Sequence, residues 1–128
     1  MKFYINRTVE GTFDNIIERV IVALKAEGFG VLTDIDVRQT MKTKINLDFR
    51  PYRILGACNP SLAHQALTAE DKIGTMLPCN VIVQQHENGE IEVAAIDPSS
   101  SMQGIGNSAL TELAGLVAER LTRVVANF

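Results

Sequence analysis

A chain of 128 residues, 46% hydrophobic and 21% charged, is sized for one domain with one core and excludes a disordered or fibrous organisation. Its twelve basic and fifteen acidic residues leave a net charge of −3, scattered along the chain, which argues against a nucleic-acid-binding surface. Polar residues arrive early in Met1-Lys2-Phe3-Tyr4-Ile5-Asn6-Arg7, and no apolar run approaches the roughly 18 residues needed to cross a bilayer. No membrane partner is expected, the expected compartment is the cytoplasm, and the two cysteines default there to thiols.

In chain order, residues 3–9 read as a first strand carrying Phe3, Ile5 and Val9. Thr12 is placed to cap a helix in which Phe13, Ile16, Ile17, Val20, Ile21 and Leu24 recur at helical spacing, and Gly28 ends it. Val31, Thr33, Ile35 and Val37 alternate as a second strand, with Asp34 and Asp36 pointing the other way. Asp36 can also cap a short polar helix over 37–45, which Asn46 can close in the left-handed conformation. Pro51 restricts the bend before a third strand, 52–58.

Asn59 and Pro60 then form a strong helix start, with Leu62, Ala63, Ala66 and Leu67 as an apolar stripe. Residues 71–78 read as a loop. Strands 80–87 and 90–97 flank Asn88-Gly89, a two-residue hairpin signal in which both residues tolerate positive φ and His86 faces Ile91. Pro98-Ser99-Ser100-Ser101 breaks the pattern, and Asn107 caps a last helix over 108–126 with Leu110, Leu113, Val117, Leu121 and Val124 on one face. The expected fold is α+β: a single domain over 1–128, its mixed or antiparallel curved sheet of about five strands covered by helices on one face. The other face is then wet or buried by a second copy. Val81, Val83 and Ile96 are the residues suggested for that contact, and a homodimer is the simplest way to cover them.

Chemistry is hinted at in one place. Leu55-Gly56-Ala57-Cys58-Asn59-Pro60 is answered some twenty positions on by Leu77-Pro78-Cys79-Asn80-Val81, so each cysteine precedes an asparagine where an extended segment meets a loop. A thiol beside a helix N-terminus feels the positive end of the dipole, which favours thiolate. If the third strand and the hairpin are neighbours, the two thiols lie at one edge of the sheet. They could then serve as a redox couple, a sulfur carrier or two ligands of a soft metal, or simply pack as small hydrophobes. His64 could supply a third ligand, His86 far less readily. Arg50 and Arg53 bracket Pro51-Tyr52 and could clamp an anion, although Arg53 and Cys58 have opposite strand parity. Gly104-Ile105-Gly106-Asn107-Ser108-Ala109 imitates a dinucleotide fingerprint, but it does not follow a strand directly and no second parallel strand comes after it. Only its helix-start amides could hold an anion.

The two Cys-Asn segments, with Ile73-Gly74-Thr75-Met76 before the second and Asp48-Phe49-Arg50-Pro51-Tyr52 before the first, resemble the domain of unknown function 302 family over essentially the whole chain. The resemblance implies a compact α+β fold of the TATA-binding-protein-like kind, helices on a curved antiparallel sheet, usually dimeric. It implies no activity and transfers no catalytic residue. The expected function is therefore a homodimeric domain binding a small molecule or anion near Cys58, Asn59, Cys79, Asn80 and Arg50, with helix-start amides as donors. The alternatives are a thiol-dependent redox, sulfur-carrier, metal or haem protein, and a structural or assembly module. No cofactor and no catalytic constellation are identified.

Overall fold

Alternation of apolar and polar side chains, punctuated by proline, glycine and asparagine, yields five strands: β1 (Tyr4–Val9), β2 (Gly30–Asp36), β3 (Tyr52–Cys58), β4 (Cys79–Gln85) and β5 (Ile91–Ile96). They form one sheet in the order β1-β5-β4-β3-β2, and every neighbouring pair is antiparallel. Helix α1 (Phe13–Ala26) carries the chain from one edge to the other, and α2 (Val37–Ile45) joins β2 to β3. Helix α3 (Pro60–Ala69) and a 3₁₀ turn (Asp71–Met76) connect β3 to β4, so the expected loop is helical over most of its length. A short helix α4 (Pro98–Ser101) precedes α5 (Ser108–Asn127). This computed structural model describes residues 2–128, so Met1 lies outside it.

Register decides which side chains meet the helices. Leu55 pairs with Val81, Val81 with Ala95, and Val83 with Val93, so all of them share one face. There they join Ile16, Val20 and Leu24 of α1 and Leu121, Val124 and Val125 of α5 in the main core. Val81 and Val83 are therefore core residues rather than residues of an outer face; both are wholly inaccessible. The apolar residue between them, Ile82, takes the opposite face with Ile54 and Ala94. Ile96 lines a shallow depression on that open side with Tyr4, Tyr52 and Ile82. No helix among the described residues is long and apolar enough to cross a membrane.

Local chemistry explains most boundaries. Asp36 Oδ1 accepts from the Gln39 amide at 2.9 Å, and Asn46 closes α2 with φ of 51°. Gly28 follows α1 with φ of 88°, a conformation that favours glycine. Thr12 stands at the N-cap of α1 without a side-chain cap bond. Asp97 accepts from the Ser99 amide at 3.0 Å, which turns the proline-serine run into α4 instead of a break.

Two details depart from the sequence pattern. A register shift between Val31 and Thr33 bulges β2 at Leu32. Val31 therefore packs on the core, while Thr33 and Ile35 share the open face with Gly56 and Ile54. The hairpin loop also has three residues, not two. His86 faces Glu90, donating its amide to the Glu90 carbonyl at 2.9 Å, and only Gly89 takes positive φ. Asn88 uses its side-chain oxygen to accept from the Glu90 amide at 3.0 Å.

Candidate functional site

Cys58 is the last residue of β3 and Cys79 the first of β4. The strands are antiparallel neighbours, and Ala57 stands directly opposite Cys79. Two residues remote in sequence are thus brought to one end of the sheet, both half-buried and both free thiols. Asn59 then turns the chain into α3: its Oδ1 accepts from the Leu62 amide at 3.1 Å, and Pro60 takes the first helical position.

Helix α5 has 20 residues, roughly 30 Å at 1.5 Å per residue, whereas strands of six or seven residues reach only about 20–23 Å. Its N-terminal half overhangs the sheet and needs another partner. Leu110 supplies one contact, packing with Ala66 of α3 and Ile73 in a second, smaller core that Leu77, Met102 and Leu113 flank. Between the two cores lies a cavity of about 340 Å³, within the size range of small-ligand sites. Cys58 and Cys79 line it where the sheet ends. Leu62, Ala63 and Ala66 of α3 face it from one side, and Leu110, Leu113, Ala114 and Val117 of α5 from another.

The wall is apolar. No charged side chain lines it, and Asn59 is the one lining residue whose side chain carries nitrogen or oxygen. Burial, with the neighbouring Cys58 as a smaller cause, pushes the Cys79 thiol up to about 11. Cys79 is therefore protonated at neutral pH, which opposes a thiolate role for it. No group of three His, Cys, Asp or Glu that could hold a metal occurs among the described residues.

The remaining candidates lie elsewhere. Asn80 pairs with Gly56 and points into the depression on the open face, away from the cavity. Arg50 stands two residues before β3, at the end of that seven-residue strand opposite Cys58. Its Nε donates to Gln84 Oε1 at 2.8 Å, and its guanidinium stacks on Phe49 and Tyr52. Arg53 is held by Asp34 through two bonds, one of them Nε to Oδ1 at 2.7 Å, and that pairing raises its pKa. No arginine clamp forms. His64 is exposed on the outer side of α3, and His86 bonds Glu92 Oε1 at 2.9 Å.

The helix starts are largely occupied as well. In α3 Leu62 is capped, Ala63 bonds the Asn59 carbonyl and Pro60 has no N–H, leaving Ser61 as the first-turn amide with no partner among the described residues. At α5 the Asn107 side chain accepts from both Ala109 and Leu110, so the glycine-rich segment offers no bare pair of amides there.

Sequence reasoning located the thiols and Asn59 but missed the opposite wall, Met102 and the N-terminal half of α5. A signal existed: the apolar stripe of α5 continues past the length any strand of this size can cover.

Residues 5–128 match the family described as "Domain of unknown function DUF302". Among solved structures, the chain is similar to an uncharacterized conserved protein DUF302 from Bacillus stearothermophilus, at 33% identity and a TM-score of 0.91, with 98% of each chain covered. No curated protein matches.

Proposed function

The chain belongs to the domain of unknown function 302 family, and from its cavity we propose that it is a binding domain for a small, uncharged, predominantly apolar molecule. The observation that carries this reading is a ligand-sized space with an almost wholly apolar wall at the paired Cys-Asn motifs. An anion is supported less well, because the α3 start retains one unpartnered first-turn amide and no cation lines the space. A thiol-dependent activity draws on the shared location of Cys58 and Cys79 but is opposed by the protonated state of Cys79.

Titration with N-phenyl-1-naphthylamine tests the proposal. We expect saturable binding of one probe per chain, lost in Ala114→Phe and in Ala63→Phe, both of which place a ring in the space. Circular dichroism checks that the variants fold. An absence of saturable binding, or binding untouched by either folded variant, overturns the proposal.

A further inference from the structure

β1 borders the sheet on one side, with β5 as its neighbouring strand. The Asp97 amide donates to the Phe3 carbonyl at 2.8 Å, and this bond sets the phase of the ladder. Phe3, Ile5, Arg7 and Val9 turn their main-chain groups toward β5, whereas Tyr4, Asn6 and Thr8 turn theirs away from it. The N–H and C=O groups of those outward-turned residues recur about 7 Å apart and have no partner among the described residues. The register with β5 runs from Tyr4 to Val9 without a shift, while β2 at the other border is bulged. β1 is therefore the border that a further strand can join.

We propose that this edge pairs with β1 of a second copy, antiparallel, about a two-fold axis through Asn6. The strand's own sequence favours that partner, because it is self-complementary in this register. Asn6 meets the partner's Asn6, Tyr4 meets the partner's Thr8, and each such pair exchanges two main-chain hydrogen bonds. Further out, Lys2 stands opposite the partner's Glu10, and symmetry repeats the match at the other end. Both side chains are exposed. Lys2 lies along this edge, its Nζ donating to Asn6 Oδ1 at 3.2 Å, and Glu10 has no partner among the described residues. Phe3, 62% exposed, is set across from the partner's Val9. Neighbouring registers lose this match: an axis through Ile5 sets Lys2 opposite the partner's Thr8, and one through Arg7 sets like charges against each other. An interface this narrow lies at the small end of the specific range, so the dimer should form and dissociate with concentration. The cavity plays no part in it.

Sedimentation velocity across the micromolar range tests the proposal on the unmodified chain, Thr8→Pro, Lys2→Glu, Glu10→Lys and the double variant carrying both charge changes. Thr8→Pro removes an N–H that β5 does not use and puts the ring on the shared edge, and thermal melts verify that each variant folds. We expect a monomer–dimer equilibrium in the unmodified chain and a monomer in Thr8→Pro. Each single charge change should raise the dissociation constant about tenfold, since both ends then carry like charges, and the double variant should return to the original value. If Thr8→Pro fails to fold, the charge series decides alone. A monomer at every concentration, a dimer that folded Thr8→Pro retains, or charge variants that do not divide into weakened singles and a restored double overturns the proposal.

Discussion

Arg7 of β1 lies over the ring of Phe128, its guanidinium carbon 4.0 Å from the ring centroid. The same guanidinium donates from Nε to the Val125 carbonyl at 2.8 Å and from Nη2 to the Phe128 carbonyl at 3.0 Å, while Arg19 of α1 donates to that oxygen at 2.9 Å. The end of α5 is thereby bonded to both β1 and α1, with charge near a helix C-terminus where cations are favoured. Phe128→Ala should lower unfolding stability by about 3 kcal/mol. Arg7→Lys should cost about 1 kcal/mol, because the ammonium cannot span two carbonyls and stack at once. Urea unfolding of both variants checks the values and their order.

Neighbouring residues on β4 should respond differently to one substitution. Val83→Thr puts a hydroxyl among core side chains and should cost about 2 kcal/mol. Ile82→Thr faces the open side and should cost under about 1 kcal/mol. Equal losses in thermal melts would contradict the assigned faces of the sheet.

Cys79 predicts an alkaline signature. Its thiol is raised from an ordinary value of 9.0 to about 11 in the folded chain. Below pH 9 both states keep the proton and the contribution is complete. Between pH 9 and 11 the unfolded chain releases it first, so stability should fall by about 2–3 kcal/mol over that window. In Cys79→Ala the fall should be shallower, whatever the change in baseline. Urea midpoints at pH 8, 9, 10 and 11 give the comparison, and an unchanged slope would refute it.

Glu92 predicts the acid counterpart. Hydrogen bonding from Asn6 Nδ2 at 2.8 Å, with smaller help from His86 and Gln84, holds its carboxyl below the ordinary 4.5. Its contribution is complete above that value and disappears as pH drops through the lower folded one. Glu92→Gln should therefore flatten the acid limb of the stability profile while altering the alkaline limb little, as measured by thermal melts from pH 2 to 10.

How much could be read from the residues depended on whether the deciding interaction was local. The bounds of β3 and the start of α3 follow from Pro51 on one side and Asn59-Pro60 on the other. The closing of α2 follows from Asn46. The hairpin loop was harder, because Asn88 spends its side chain on the Glu90 amide and leaves Gly89 alone to reverse the chain. For β4, Val81, Ile82 and Val83 are consecutive and all apolar, so no alternation says which side is inner; pairing of Leu55 with Val81 decides it. The cavity needed more still. It exists because α3 and α5 meet beyond the end of the sheet, a contact between segments some forty residues apart that no spacing rule announces. The neighbouring thiols were legible because they need only β3 and β4 to be adjacent, whereas the raised pKa of Cys79 comes chiefly from its burial, which strand pairing alone does not give.

The bulge at Leu32 bears on how these molecules behave when crowded. A straight border strand presents an even row of unpaired amides and carbonyls, to which another chain can zip and from which fibres grow. In β2 that row is broken midway, and Asp34 and Asp36 follow the break with negative charge. Concentrated solutions should therefore resist templated growth along this margin, and flattening it is the change most apt to release it.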